Sequence, residues 1–195
     1  MIRLFTSLCK LMLDETTDKQ IYHESVGYFN YYGEKCPCCG GAAIFKPHGD
    51  YTRTLIYRTN NETEYSPIKP IRFKCLSCKT THALLPDILT PYSSYSLRFK
   101  LLALTAYFER KTTVVKICGQ FGIAVSTIYE WKKRLLLHKE LLLGLLISGK
   151  EPVLSFLNGL LAAGCLSKHL CSFFKKHAFS FMQRSTKQTS QPQPP

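Results

Sequence analysis

Two pairs of cysteines set the strongest limit on how this chain can fold. Cys36 and Cys39 lie in the sequence CPCCG, and Cys75 and Cys78 repeat the C-x-x-C spacing after 35 intervening residues. A gap of two residues lets both sulfurs of one tight turn face the same ion, and zinc takes four thiolates in a tetrahedron. The pattern therefore predicts one zinc ion bound by Cys36, Cys39, Cys75 and Cys78. Four thiolates leave no open position for water, so the zinc is predicted to be structural.

Three further side chains near these pairs are potential ligands. Cys38 directly precedes Cys39, and adjacent residues do not easily bind one ion, so we expect Cys38 to stay outside the site. His48 and His82 are interpreted as loop and strand side chains. Mixed ligation and a metal-free set of reduced thiols are the alternatives. The odd total of nine cysteines, with no recognisable secretory signal, favours a reducing compartment and metal over disulfides.

The residues around the cysteine pairs have the composition of β-strands. They are rich in β-branched and aromatic residues, with Asn60-Asn61 as a predicted turn, and the predicted strands are 42–46, 51–58, 68–74 and 80–84. So small a sheet buries too little apolar surface to be stable without metal. We therefore predict a zinc ribbon over 35–90. It follows a lead-in segment over 1–34, of which residues 1–13 are predicted to form a short amphipathic helix.

A second pattern, over residues 113–134, predicts two short helices joined by a tight turn. Each segment has apolar residues at helical spacing, Gly122 supplies the turn, and Thr112 or Thr113 caps the first helix. This is the sequence form of a helix-turn-helix, whose second helix lies in the DNA major groove. A preceding helix over 97–110, capped by Ser96, completes a predicted DNA-binding domain over 91–137. The alternative is a helical hairpin that serves only as core.

Eight residues of the second helix are the candidates for DNA contact. With Ile128 and Trp131 directed inward, the outer face carries the residues expected to reach base edges, which are Val125, Ser126, Tyr129, Glu130 and Lys133. The residues expected to contact phosphates are Thr127, Lys132 and Arg134, and Lys133 is expected to reach either guanine or a phosphate. The alternative for this basic run is a solvated helix end, favoured by the helix dipole.

The charge of the chain is concentrated in the half that contains this motif. The net charge is +13, yet residues 1–96 carry 11 Lys and Arg against 9 Asp and Glu, whereas residues 97–195 carry 15 against 4. A strongly basic half implies an anionic partner, and double-stranded DNA is the partner predicted.

The carboxy-terminal part is predicted to be helical and then disordered. Leu-rich segments at 135–147, 153–163 and 168–180 predict two or three further helices, so that residues 138–182 form core or a homodimer interface. Residues 183–195 are rich in Gln, Ser and Pro and are predicted to be a disordered tail. The longest apolar run is too short to span a bilayer. We therefore expect no membrane association, and a cytoplasmic, nucleoid-associated protein.

Five sequence blocks together support a family resemblance. They are CPCCG, RFKCLSCKTTHALLP, PYSSYSL, FGIAVSTIYEWKKR and FFKKHAFSFMQ. In these the chain resembles a bacterial family of unknown function, common in Gram-positive species, that joins a zinc ribbon to a helix-turn-helix. It is also similar to the amino-terminal DNA-binding regions of insertion-sequence transposases. Ala124 departs from the pattern, because a serine cap is usual there, unless Ser126 begins the helix instead.

The predicted fold is α+β, and the predicted function is sequence-specific DNA binding without catalysis. The resemblance implies either recognition of transposon ends, with a separate transposase chain as partner, or local transcriptional regulation. Two-metal strand transfer needs about three carboxylates, and the only acidic residues after position 96 are Glu109, Glu130, Glu140 and Glu151. The alternatives are a degenerate or truncated transposase and a zinc-ribbon interaction module that does not bind DNA.

Overall fold

The computed structural model describes residues 2–4, 17–27, 34–42, 44–143, 152–162 and 166–184. The fold is α+β, as predicted. The strands are β1 (Ile2–Leu4), β2 (Phe45–Asp50), β3 (Arg53–Thr59), β4 (Glu62–Ile68), β5 (Ile71–Cys75) and β6 (Thr81–Pro86). The helices are α1 (Asp18–Gly27), α2 (Leu97–Glu109), α3 (Val114–Phe121), α4 (Val125–Leu143), α5 (Val153–Leu161) and α6 (Leu166–His177). None of these described helices is both long enough and apolar enough to cross a membrane.

The strands form two sheets. The first, which we call the cysteine sheet, has the order β1-β6-β5-β2, with β5 antiparallel to both its neighbours and β1 parallel to β6. The second is the β3–β4 hairpin, which turns at Asn60 and Asn61 with φ values of 50° and 64°. Two positive φ angles are typical of a two-residue type I′ turn, and asparagine tolerates them well. The predicted turn is confirmed.

Helix α2 lies at the centre of the main core. It packs against α3, α4, α5 and β3, and its side chains Phe99, Leu101 and Leu104 are fully buried. The side-chain hydroxyl of Ser96 accepts a hydrogen bond of 3.0 Å from the Phe99 amide, so the predicted cap is confirmed. A separate and much smaller cluster, built on Phe45, Phe73 and Leu84, supports the cysteine sheet.

The amino-terminal segment differs from its prediction at residues 2–4, and residues 5–13 of the predicted helix lie outside the described residues. Residues 2–4 form a strand rather than part of a helix, because β1 finds backbone partners along β6, where Ile2 lies opposite Leu84. Helix α1 was not predicted, although its signal is present. Thr17 and Gln20 form a capping box: the Thr17 amide donates to Gln20 Oε1 at 2.8 Å, and the Gln20 amide donates to Thr17 Oγ1 at 3.2 Å.

The strand boundaries also differ from those predicted. The segment predicted as one strand over 68–74 is divided, since β4 ends at Ile68 and β5 begins at Ile71. Pro70 stands between them and has no amide hydrogen for a continuous ladder. Most of β4 was missed because its sequence, ETEYSPI, is largely polar and exposed, so it lacks the apolar alternation on which the prediction relied.

The predicted helix break after Arg134 is also wrong, since α4 continues without interruption to Leu143. Leu135 and His138 are buried and extend the stripe of Ile128 and Trp131, so one amphipathic helix spans both segments. The described α5 and α6 agree with the two later helices predicted. Helix α5 packs against α2, and the homodimer interface over 138–182 stays a prediction. Of the predicted tail, residues 185–195 lie outside the described residues.

An amine is buried in the main core. The side chain of Lys100 on α2 is 1% exposed, and its Nζ has no hydrogen-bond partner among the described residues. Its Nζ lies 6.0 Å from the centroid of the Trp131 ring. Burial lowers the pKa of Lys100 well below its ordinary value, and the positive charges of Arg134 and Arg53 lower it further.

We expect Lys100→Met to raise the free energy of unfolding by about 1–3 kcal/mol, because methionine fills the same space without an unpartnered polar group. Lys100 has a lowered pKa in the folded chain and its ordinary pKa in the unfolded chain. At a pH between these two values the unfolded chain binds more protons than the folded one. Wild-type stability should therefore rise with pH over that window, and the variant should show a shallower rise. Urea unfolding measured at several pH values up to about 10 tests this. The exposed Lys116→Met is the control, and equal effects of both variants would refute the prediction.

Candidate metal centre and nucleic-acid interface

The four paired cysteines lie on two turns at one end of the cysteine sheet. We call residues 36–40 the first knuckle and residues 75–79 the second knuckle. In the first, the Gly40 amide donates to the Cys36 carbonyl at 2.9 Å, and Gly40 has a φ of 70°, which glycine adopts without strain. In the second, β5 ends at Cys75, whose amide donates to the Thr80 carbonyl at 3.0 Å.

The fold brings all four sulfurs together. One ligand atom from each of Cys36, Cys39, Cys75 and Cys78 lies within 4.8 Å of the others, and the Cys36 and Cys78 sulfurs are 3.6 Å apart. A tetrahedral zinc with Zn–S bonds of about 2.3 Å needs sulfurs roughly 3.8 Å apart, so the donor set fits a metal ion with little adjustment. Cys38 is exposed and does not belong to this group.

Backbone amides and a hydroxyl favour the thiolate form of Cys75 and Cys78. The Cys38 amide donates to Cys36 Sγ at 3.4 Å. The Cys78 amide lowers the pKa of Cys75, and the Thr80 hydroxyl and amide lower the pKa of Cys78 to about 6. The pKa of Cys39 moves the other way, to about 11: the Gly41 amide lowers it, but neighbouring thiols and desolvation raise it more.

His82 lies directly behind the cluster, which the sequence analysis did not predict. Its Nε2 is 3.3 Å from Cys36 Sγ, its side chain is buried, and its ring packs edge-on against Phe45. Burial lowers the pKa of His82, which favours the neutral ring. A neutral imidazole with its proton on Nε2 can donate to a metal-bound sulfur and orient it. His82 and Leu84 alternate on the buried face of β6. This two-residue period was the sequence signal that could have indicated a buried His82.

Helices α3 and α4 are joined by a well-defined turn. Thr113 caps α3 by accepting from the Lys116 amide at 3.4 Å. At the other end Gly122 has a φ of 61°, its amide donates to the Gly119 carbonyl, and the Ile123 amide donates to the Cys118 carbonyl at 3.0 Å. These two bonds form a Schellman motif. The predicted turn at Gly122 is thus confirmed.

Helix α4 begins at Val125, so the suggested start at Ser126 is wrong. The amides of Thr127 and Ile128 donate to the Ala124 carbonyl, at 3.0 and 3.4 Å. Ala124 therefore occupies the cap position and supplies no side-chain acceptor to the first turn.

The eight candidate contact residues differ in exposure and in partners. Ile128 and Trp131 are buried as predicted, and the exposed residues are Val125, Ser126, Tyr129, Glu130 and Lys133. Thr127, Lys132 and Arg134 are half-buried. The Lys132 amine donates to Tyr107 OH at 3.0 Å, and Arg134 Nη2 lies 3.3 Å from Glu130 Oε2. DNA contact by these residues stays a prediction.

The β3–β4 hairpin rests on the turn between α3 and α4, a contact that the sequence analysis missed. The Arg58 guanidinium lies 4.1 Å above the Phe121 ring and donates to the Gln120 carbonyl at 3.2 Å. The Thr63 hydroxyl donates to the Phe121 carbonyl at 3.4 Å. The hairpin thus satisfies carbonyls at the end of α3 and holds the position of the turn.

Comparison with known proteins gives one match. A protein family described as a domain of unknown function (DUF6431) matches residues 36–131. The matched region begins at the first knuckle and ends within α4, so it contains all four paired cysteines and the whole α3–α4 turn. No curated protein and no solved structure matches the chain.

Proposed function

We propose that this chain is a zinc-stabilised, sequence-specific DNA-binding protein. In this proposal residues 35–90 are a zinc ribbon, and helices α2, α3 and α4 are a trihelical helix-turn-helix domain with α4 as its recognition helix. The observation that carries the proposal is the two-sided character of α4. Its inner face is buried through Ile128 and Trp131, while the outer face of its first turns exposes Val125, Ser126, Tyr129, Glu130 and Lys133.

The start of α4 is suited to an anionic duplex. Ala124 provides no side-chain acceptor at the start of the helix, so a phosphate can take the place of a capping side chain at the Val125 and Ser126 amides. The positive end of the helix dipole favours the same contact. In helix-turn-helix proteins the amino-terminal residues of the recognition helix contact base edges. Val125, Ser126 and Tyr129 occupy this position here.

The structure ranks the three basic candidates by their partners. Lys133 is exposed and makes no ion pair within the described residues, whereas Arg134 pairs with Glu130 and Lys132 is held by Tyr107. We therefore propose Lys133 as the leading cationic contact. Lys132 and Arg134 are proposed as phosphate contacts that exchange their present partners for DNA oxygens.

The proposed metal is one structural zinc ion held by the two knuckles. A set of four cysteine sulfurs suits zinc, and His82 and the knuckle amides would support the sulfurs from behind. Its proposed role is to hold the cysteine sheet, whose cluster of buried side chains is small. Within the described residues these cysteines are the one group of three or more side chains placed to hold a metal.

The proposed biological setting follows from the sequence resemblance. Similarity to the DNA-binding regions of insertion-sequence transposases supports recognition of transposon ends, with catalysis supplied by a separate transposase chain. Local transcriptional regulation uses the same chemistry at a promoter. The position of the target sequence, at an element end or at a promoter, distinguishes the two.

The test is fluorescence anisotropy across a salt series, with a duplex selected from a random pool by the zinc-loaded protein. We expect the logarithm of the association constant to fall linearly with the logarithm of salt concentration, with a slope of about 0.9 per phosphate neutralised. Lys133→Ala should reduce that slope by about 0.9. Lys176→Ala, which removes one exposed charge from α6, is the matched control and should leave the slope unchanged.

Salt-insensitive or undetectable binding would reject the proposal in favour of an interaction module that does not bind DNA. An unrelated duplex that competes as well as the selected one would reject sequence specificity.

A further inference from the structure

A basic groove lies on the solvent face of the cysteine sheet. It runs between strands β2 and β5 and the second knuckle, and its lining residues are Lys46, Pro47, His48, Lys74, Leu76 and Lys79. We call this surface the lysine groove. It contains three lysines and a histidine without any acidic side chain. Pro47 and Leu76 form its apolar part.

The strand register places two of these lysines directly opposite each other. Lys46 on β2 pairs with Lys74 on β5 in the antiparallel ladder. Like charges in this arrangement destabilise a sheet. The buried neighbours Phe45 and Phe73 alternate with them along the same strands, so both lysines belong to the solvent face. The fold therefore concentrates positive charge here at a cost to its own stability.

Protection of a sheet edge does not account for both lysines. Edge strands often carry lysine to prevent pairing with other chains, and β2 is an edge strand of the cysteine sheet. Strand β5, however, is an inner strand between β6 and β2, so Lys74 has no edge to protect. The groove needs another explanation.

No ion pair compensates these charges within the described part of the chain. The two ion pairs found there join Lys111 to Glu109 and Arg134 to Glu130, both on the helical side. Arg72, two residues before Lys74 and thus on the same face of β5, adds one more positive charge near the groove. The groove thus has the composition of a site for closely spaced anionic oxygens.

We infer that the lysine groove is a second DNA-binding surface, which contacts the phosphate backbone of the duplex whose bases α4 reads. This inference rests on the proposed function. Lysine amines at opposed positions of two strands can each meet a phosphate oxygen, and such contacts raise affinity without reading sequence. The groove would thereby link the zinc to DNA binding, because the metal fixes the knuckle that carries Lys79 and the end of the strand that carries Lys74.

The deciding variant is Lys46→Glu, assayed in the same salt series. A glutamate opposite Lys74 forms a favourable cross-strand pair, so the thermal midpoint should stay the same or rise. The DNA contact should be lost, since Lys46 is gone and Lys74 is neutralised by its new partner. We expect the salt slope to fall by about 1.8, the value for two phosphates. Lys74→Gln is a second variant, which should lower the slope by about 0.9.

Lys176→Glu makes the same change of charge on α6 and is the matched control. An unchanged slope in Lys46→Glu and Lys74→Gln would overturn the inference, and would leave an acidic protein segment as the candidate ligand of the groove. A fall of equal size in Lys176→Glu would also overturn it, as an effect of net charge alone. Failure of the proposed function has a different signature, because the wild-type protein itself would then show salt-insensitive or undetectable DNA binding, or no preference for the selected duplex.

Discussion

Replacing Cys75 by serine is expected to abolish zinc binding and to unfold the cysteine sheet. Cys75 is fully buried at the end of β5, where its sulfur joins those of both knuckles. The side-chain cluster behind it is small, and structural zinc contributes roughly 10–16 kcal/mol to folding in zinc-finger peptides at neutral pH. Metal analysis should give one zinc per wild-type chain and none in the variant. Limited proteolysis should then cleave within 35–90.

The helical part should survive this change, since α2 to α6 share a core of their own. We therefore expect most of the helical circular dichroism signal to persist in Cys75→Ser. Cys38→Ser is the matched control, because Cys38 is a knuckle cysteine outside the sulfur cluster. It should keep its zinc and its thermal midpoint. Zinc retained by Cys75→Ser, or lost from Cys38→Ser, would contradict the proposed four-cysteine site.

Trp131→Ala is expected to lower the free energy of unfolding by about 3–5 kcal/mol. The Trp131 side chain is 4% exposed and fixes α4 to the main core. Its ring meets Tyr95 edge-on with 5.0 Å between centroids and Phe99 with 6.2 Å. The substitution removes these aromatic contacts and leaves a cavity beneath α4. Urea unfolding of the zinc-loaded protein, followed by helical circular dichroism, measures the loss.

Tyr129→Ala provides the comparison on the same helix. Tyr129 is 47% exposed, and its recorded ring contact is with Tyr107, at 6.1 Å between centroids. We expect Tyr129→Ala to lower the free energy of unfolding by about 1 kcal/mol or less. DNA binding should weaken in both variants, but by loss of the folded state in Trp131→Ala and by loss of a contact in Tyr129→Ala. Equal destabilisation by the two substitutions would show that α4 does not pack as described.

Several caps and turns that depend on local chemistry were predicted correctly, although the capping box of α1 was missed. The hydroxyls of Ser96 and Thr113 and the positive φ of Gly122 act on amides and carbonyls within a few residues, so the sequence around each is enough to place it. The same holds for the turn at Asn60 and Asn61. The C-x-x-C spacing likewise identified the four sulfurs that the fold brings together.

Errors arose where long-range contacts override local patterns. Residues 2–4 form a strand because β6 offers an unpaired edge, and nothing in their own sequence indicates that edge. The continuation of α4 past Arg134 depends on a core surface that extends to His138. The side chains that hold Lys132 and Arg134, which are Tyr107 and Glu130, were not predicted either. Tyr107 comes from another helix, and the Glu130–Arg134 pair is one of several arrangements that a helix surface allows.

The sequence by itself determined the donor set for a metal, the positions of the caps and turns, and the inward stripe of α4. Each of these is a relation between residues close in sequence, or a ligand count that needs no coordinates. Only the tertiary structure decided that Arg58 braces the α3–α4 turn, that His82 stands behind Cys36, and that Lys46 lies opposite Lys74. These contacts join residues at least 28 positions apart, and strand register and packing of the whole chain set them.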